Sequence, residues 1–170
     1  MKKIVFALLF LPAVSFADNV HFASISHMTL DDGIESLNGY SIAYQGVSDG
    51  KFAIGLSHTE SRDDLCDGCD FQSLSINYAF GSFDEGSVYL GAALGENSEV
   101  EGSTDGFTIG FAKISGDGLD YNFSAAVVEG VTAMGVSLRA PIGDSGLGWQ
   151  AGLAESNGIT TTMVGLSMAF

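Results

Sequence analysis

The sequence predicts an all-β fold, an antiparallel up-and-down β-barrel that spans a membrane. Small and bulky residues alternate along most of the chain, turn residues interrupt this alternation, and the last segment, Thr160 to Phe170, alternates up to a terminal aromatic. A side-chain period of two is that of a β-strand. An apolar strand that ends at a chain terminus leaves an exposed edge unless another strand pairs with it. In a closed barrel surrounded by lipid, the edge strand is paired and the apolar face contacts lipid.

The first element is a secretory signal peptide, predicted over residues 1–17. Two lysines precede an apolar run from Ile4 to Leu11, and small residues at Ser15 and Ala17 place the cleavage after Ala17. The apolar run is too short to span a bilayer, which takes about 20 residues. The residue directly after the cleavage position is not a Cys, which argues against a lipoprotein. The mature barrel is therefore expected to occupy residues 18–170.

Ten strands follow in the mature chain. They are predicted at 20–28, 38–47, 51–59, 71–80, 87–95, 105–113, 118–128, 131–140, 147–155 and 160–170. An even number returns both termini to one side, and strands of this length suit a lipid band about 25 Å tall. A barrel of eight strands also fits the length and is the alternative.

The connections are predicted to differ between the two ends of the barrel. Those that follow odd-numbered strands tend to be long and acidic, and those that follow even-numbered strands shorter and rich in turn residues. The long ones are 29–37, 60–70 and 96–104, and the short ones include 48–50, 114–117 and 141–146. Long outer loops and short periplasmic turns are the asymmetry expected of an outer-membrane barrel.

The two faces of the strands are inverted relative to a soluble protein. In 71–80, for example, Ser73, Ser75 and Asn77 share the inward face while Leu74 and Ile76 share the outward face. A soluble sandwich or ligand-carrying barrel places its bulky aliphatic residues inside. Because the bulky residues here face outward, the surroundings are expected to be lipid.

Aromatic residues give an independent indication of a membrane interface. Seven of them lie outward by the same parity and toward one end of their strands: Tyr44, Phe52, Phe80, Phe111, Tyr121, Trp149 and Phe170. Aromatic rings prefer the interface between lipid and water. If these residues belonged to the core of a β-sandwich, there would be no reason for them to cluster at one height along the strands.

The composition excludes one class of partner. The formal net charge is −15, and without Lys2 and Lys3 of the leader, four basic residues stand against 21 acidic ones, a net charge of −17. A chain this acidic repels nucleic acid phosphates. It also repels anionic lipid headgroups unless divalent cations bridge them.

Together, the leader, the alternating strands, the polar outer loops and the terminal Phe170 resemble the small outer-membrane β-barrel proteins of Gram-negative bacteria, including the OmpX-like and opacity-protein-like groups. The resemblance covers the whole mature chain as a pattern and rests on no sharp local motif. It implies insertion into the outer membrane by the barrel assembly machinery, with Phe170 in the assembly signal, and contact with outer-membrane lipid and lipopolysaccharide. It carries over no catalytic residue.

The two cysteines, Cys66 and Cys69, lie in the longest predicted outer loop. In an exported chain with no other Cys, a local disulfide closed by the Asp67-Gly68 turn is the favoured interpretation. A redox pair needs a helix start that lowers the thiol pKa, and one such pair is only half a zinc site. Free thiols and metal binding are the alternatives.

No catalytic, cofactor-binding or metal-binding residue is predicted. His27 and His58 approach the outer ends of their strands, near Asp31, Asp32 and Glu60. The parity of the third strand places His58 on the lipid side, and no Ser-His signature of a lipase or deacylase is present. The sequence therefore favours a protein that is not an enzyme.

The sharpest prediction concerns a charge pair in the lumen. The seventh and eighth predicted strands are joined by Glu129-Gly130, which is short enough for a two-residue hairpin turn. In that register Asp120 faces Arg139, and both point into the lumen near its periplasmic end, with Lys51 as a further candidate member. Unlike charges that face each other across two strands stabilise the pair by about 0.2–1 kcal/mol. Separate solvation of the two charges is the alternative.

These features predict an integral outer-membrane barrel with a structural or surface-interaction role. Such a role would rest on the acidic loops, which are able to bind divalent cations or basic partners. A narrow porin-like channel for small solutes is the alternative, since the lumen-facing residues are small. A lipid-modifying enzyme is the least favoured of the three classes.

Overall fold

The computed structural model describes residues 20–61, 70–97, 103–128 and 131–170. These residues form ten strands: β1 (Val20–Asp31), β2 (Ser36–Ser48), β3 (Phe52–Ser61), β4 (Asp70–Ala79), β5 (Ser87–Asn97), β6 (Ser103–Lys113), β7 (Asp120–Val128), β8 (Val131–Pro141), β9 (Leu147–Ser156) and β10 (Ile159–Ala169). Each contains one of the ten predicted alternating segments or overlaps it closely.

The ten strands form one closed barrel. Every strand pairs antiparallel with its neighbours in the chain, and β1 closes the sheet by pairing with β10. The predicted ten-stranded up-and-down barrel is confirmed, and the eight-stranded alternative is wrong. In the described part of the chain, no helix has the length and hydropathy needed to cross a membrane.

The strand register confirms the predicted faces. Ser73, Ser75 and Asn77 of β4 pair with inward-facing residues of β3 and β5, and Ile76 lies on the outer face, where it is exposed. The predicted outward aromatics also lie outside, and several touch each other around one end of the barrel. Their contacts include Phe52 with Tyr78 (ring centroids 5.0 Å apart), Tyr78 with Phe80 (6.0 Å), and Phe111 with Tyr121 (5.9 Å).

The prediction of a long first loop is wrong. Strand β1 continues to Asp31 and β2 begins at Ser36, so that only residues 32–35 connect them. Asp31 Oδ1 accepts the N–H of Gly33 (2.7 Å), whose positive φ of 84° makes the tight turn possible. These local bonds let polar residues that resemble a loop extend the hairpin instead. The difference in connection length between the two ends is correspondingly smaller than predicted.

The start of β1 and Phe170 meet at one end of the barrel, which we call the termini end. The backbone N–H of His21 donates to the Phe170 carbonyl (3.2 Å), and the N–H of Phe170 donates to the His21 carbonyl (3.0 Å). The Phe170 ring stacks on the His21 ring, which also stacks on Tyr44. The last residue therefore takes part in closing the barrel.

Candidate functional site in the barrel lumen

A small hydrophobic core lies in the lumen at the termini end. Phe83, in the turn between β4 and β5, is only 1% exposed and packs with Phe22, Val47, Tyr89 and Ile114. The other members of this cluster are inward-facing alanines: Ala53, Ala79 and Ala112. We call this cluster the floor of the lumen.

Backbone hydrogen bonds hold Phe83 across the floor. Its N–H donates to the Gly50 carbonyl (2.7 Å), and its carbonyl accepts the N–H of Ile114 (2.7 Å). Since Gly50 and Ile114 belong to the two neighbouring turns, Phe83 ties three connections together under the barrel. The phenylalanine in this turn was a sequence signal for a closed lumen that the alternation of the strands does not reveal.

An ion pair lies beside the floor. Asp120 and Arg139 face each other in the β7–β8 register, and Arg139 Nη1 lies 2.7 Å from Asp120 Oδ2. The two residues are 5% and 8% exposed, respectively. The structure thus places both charges where the predicted hairpin register put them. The turn residues 129–130, from which that register was predicted, lie outside the described residues.

Asp120 also organises the connection between β6 and β7. Its Oδ1 accepts the N–H of Ser115 (2.7 Å), the hydroxyl of Ser115 (3.0 Å) and the N–H of Gly116 (3.3 Å). This carboxylate is therefore satisfied by the turn as well as by Arg139. Removal of Asp120 would leave several donors without a partner.

Arg139 is less completely satisfied. Its Nε donates to Ser167 Oγ (3.0 Å), and the guanidinium lies over the Phe22 ring, with Cζ 4.0 Å from the ring centroid. Its Nη2 is buried and has no hydrogen-bond partner among the described residues. Most buried polar atoms in folded proteins have a partner. Among the described residues, Arg139 Nη2 shares this lack of a partner with His58 Nδ1 and Gln72 Oε1, and of the three residues only Arg139 faces the lumen.

A cavity of about 400 Å³ occupies the lumen from the floor toward the opposite end. Phe22, Asp120 and Arg139 line its base, and Thr59 and Phe71 line it at the far end. Phe71 faces inward and is 41% exposed, which places it where the lumen opens. The space is thus a cup with a closed base.

Another part of the lumen, at β5 to β7, is filled by side chains. The Tyr89 hydroxyl donates to Asn122 Oδ1 (2.8 Å), and the ring crosses Gly110 on the strand between them. A Cβ at position 110 would lie 2.5 Å from the Tyr89 ring and 2.4 Å from the Phe123 carbonyl. Glycine is needed there because no larger residue leaves room for the tyrosine.

The remaining predicted site residues lie elsewhere. Lys51 does not join the ion pair, because it is exposed in the β2–β3 turn and makes no ion pair with the described residues. This part of the prediction is wrong, because β2 ends at Ser48 and β3 begins at Phe52, so that Lys51 belongs to the turn and not to an inward-facing strand position. Cys66 and Cys69 lie outside the described residues, as do residues 1–17, so the disulfide and the signal peptide stay predictions.

The histidines do not assemble a catalytic group. By register His21, His27 and His58 all lie on the outer face of the barrel. Glu60, predicted near His58, accepts a hydrogen bond from the Tyr40 hydroxyl instead. Within the described ranges, no three His, Cys, Asp or Glu side chains lie close enough together to hold a metal ion.

The acidic β1–β2 connection is a structured turn. Asp32 Oδ1 accepts the N–H groups of Glu35 and Ile34, both at 2.8 Å. These bonds, chiefly the one from Glu35, lower the pKa of the exposed Asp32 carboxyl below its usual value because they favour the charged form. Asp32 therefore organises its own loop.

Comparisons with known proteins match the fold but no sequence family. No protein-family model and no curated protein sequence match the chain. Among solved structures, the KdgM porin in complex with disordered oligogalacturonate is similar with a TM-score of 0.53 at 12% identity, over 88% of this chain and 99% of that one. This similarity extends to the fold alone.

Two further solved barrels are similar at lower scores. The N-terminal β-barrel domain of Pseudomonas aeruginosa OprF has a TM-score of 0.42 at 16% identity, over 90% of this chain and 98% of that one. Neisserial surface protein A has a TM-score of 0.37 at 13% identity, over 90% and 96%. These two similarities likewise concern the fold alone.

Proposed function

We propose that this protein is an integral barrel of the Gram-negative outer membrane, with a structural or surface-interaction role and no enzymatic activity. The outer face supports the location, because it exposes aliphatic side chains such as Ile25, Val164 and Leu166 around the barrel. A soluble monomer rarely exposes so large an apolar surface. The ring of aromatic residues at the termini end fits an interface with the periplasm.

The location is tested by fractionation of cells that express the full chain. The protein should be recovered with the outer membrane, and the folded barrel should migrate differently on a gel before and after boiling. Recovery of the processed chain in the soluble periplasmic fraction would contradict the proposal.

The observation that supports a role other than an open channel is the floor. The buried Phe83, held by the two neighbouring turns, lies at the termini end of the lumen, and we expect it to block passage there. The end of the barrel opposite the termini end carries the exposed acidic residues Asp31, Asp32 and Glu35. We expect this end to contact surface partners, and divalent cations would allow it to approach the lipopolysaccharide phosphates.

A narrow channel for small solutes is the second candidate. Two observations favour it: a cavity of about 400 Å³ lies in the lumen, and the porin mentioned above has a similar fold. Displacement of the Phe83 turn would connect this cavity to the periplasm.

Single-channel recording in planar bilayers separates the two candidates. We expect almost no steady conductance from the native barrel and a measurable conductance from Phe83→Ala, which removes the ring from the floor. Phe80→Ala is the matched control, since Phe80 is in the same connection but is exposed on the outer face. Steady conductance of the native barrel would favour the channel, and a closed Phe83→Ala barrel would mean that Phe83 does not close the lumen.

A further inference from the structure

The buried guanidinium of Arg139 lacks one hydrogen-bond partner inside the cup. Its Nε and Nη1 are bonded to Ser167 and Asp120, whereas Nη2 is buried and has no partner among the described residues. Arg139 is one of the residues that line the cavity. A buried donor without a partner is costly, more so when it is charged. An oxygen atom that approaches through the cavity would complete its hydrogen bonds. A water molecule would do the same, so the rest of the cavity decides what kind of ligand fits.

The cavity has the size and lining of a small-molecule site. Its volume of about 400 Å³ lies in the range of known ligand pockets, about 300–1,000 Å³. Ser24, Gln45 and Ser137 border it close to the base, within two residues of Phe22 or Arg139 along or across the strands. These groups both donate and accept hydrogen bonds, while Met28 and Met163 supply apolar wall. A ligand with several hydroxyl groups and apolar faces matches this combination.

The charges of the lumen favour a neutral ligand. Asp120 and Arg139 neutralise each other, and no other charged side chain lies on the inward face of the described strands. Lys113 is among the residues that border the cavity, but it pairs with the outward-facing Tyr121, so its side chain belongs to the outer face. The chain as a whole is strongly acidic, which disfavours the approach of an anion.

We infer that the cup binds a neutral saccharide of one or two sugar units, with a sugar oxygen accepting a hydrogen bond from Arg139 Nη2. This inference rests on the closed lumen proposed above, because the floor forms the base of the site. The hydroxyl and amide groups near the floor bond the remaining sugar hydroxyls. Phe71 lies at the open end, where its ring is able to cover the apolar face of a second sugar unit.

The test is an NMR titration of the refolded mature barrel in a detergent without sugar groups. Selective ¹⁵N-arginine labelling gives two guanidinium groups, because the mature sequence contains only Arg62 and Arg139. The probes are galactose, lactose and galacturonic acid, the last of which adds a carboxylate to galactose. We expect the Arg139 signal to shift with galactose and lactose at a Kd of the order of 1 mM, as suits a ligand of about 12 to 23 heavy atoms. Galacturonic acid should bind more weakly at neutral pH.

Two variants locate the site. Arg139→Lys keeps a positive charge beside Asp120 but removes Nη2, and Ser137→Ala removes one hydroxyl with little risk to the fold. Arg139→Lys should weaken lactose binding about tenfold or more, and Ser137→Ala a few-fold. Their binding is followed through isotope-labelled methionine methyls, which report Met28 and Met163. The exposed Lys51→Met is the control and should bind like the native barrel.

Each contrary result has a distinct meaning. Tighter binding of galacturonic acid would overturn the choice of a neutral ligand. Unchanged binding in both lumen variants would overturn the site. No shift with any of the three sugars at about 100-fold the expected Kd would overturn the inference of a saccharide site. The conductance experiment measures independently whether the floor blocks the lumen, so that a failure of the proposed function is distinguishable from a failure of this inference.

Discussion

The ion pair in the lumen predicts unequal costs for its two partners. Asp120→Ala leaves the buried guanidinium of Arg139 unpaired and also removes the acceptor for Ser115 and Gly116. Loss of one partner of a buried pair costs about 3–5 kcal/mol, and the orphaned turn donors place this variant at the upper limit. Arg139→Met leaves a carboxylate that still accepts the turn donors, so we expect it to cost only about 2–3 kcal/mol.

The double variant distinguishes a coupled pair from two solvated charges. Asp120→Ala with Arg139→Met leaves no unpaired charge, so it should cost less than the sum of the single variants by about 1–3 kcal/mol. Reversible urea unfolding in lipid vesicles, followed by the fluorescence of Trp149 and by the gel shift, measures all four free energies of unfolding. The exposed Lys51→Met is the matched control and should change the free energy of unfolding by less than about 0.5 kcal/mol.

Two outcomes would refute this reasoning. Strict additivity would mean that each charge is separately solvated in a wet lumen. A larger cost for Arg139→Met than for Asp120→Ala would mean that the turn does not hold the carboxylate as the distances indicate.

Three further predictions concern the closure of the barrel at Phe170, the loop that contains Cys66 and Cys69, and the β1–β2 turn. Deletion of Phe170 should reduce assembly into the outer membrane far more than deletion of the exposed Ile34, because Phe170 closes the sheet; equal assembly would contradict this. Cys66 and Cys69 should resist alkylation in protein purified without reductant; two alkylated thiols would refute the disulfide, and stoichiometric metal would support its rival. The pKa of Asp32, followed by NMR, should lie below its usual value. The carboxylate's support of the turn is then present above the unfolded-state pKa and lost as the pH falls through the folded value; an ordinary pKa would contradict the hydrogen bonds.

The architecture was predictable because a barrel repeats one rule in every strand. Alternation fixed which residues face inward, and a single two-residue connection fixed the register that places Asp120 opposite Arg139. The ends of the strands were less predictable, since Asp31 looks like a loop residue until its hydrogen bond to Gly33 in the turn is known. Local composition does not reveal such bonds.

The closed floor was not predictable from alternation. Phe83 belongs to a turn, so its side chain obeys no strand parity, and its burial depends on contacts with Phe22, Tyr89 and Ile114 from three other parts of the chain. The unpartnered Nη2 of Arg139 likewise depends on the arrangement of neighbours in space. Features of this kind arise from the closure of the barrel and not from any one segment.

The central claim, an apolar outer face in lipid around a lumen that lipid does not enter, is tested most directly by the methyl groups of the four mature methionines. Met134 and Met168 lie on the outer face and are 61% and 51% exposed, whereas Met28 and Met163 face the lumen. With ¹³C-methyl methionine in lipid nanodiscs, the account predicts nuclear Overhauser contacts from lipid acyl chains to Met134 and Met168 and none to Met28 and Met163. Acyl-chain contacts to the second pair, or their absence from the first, would contradict it.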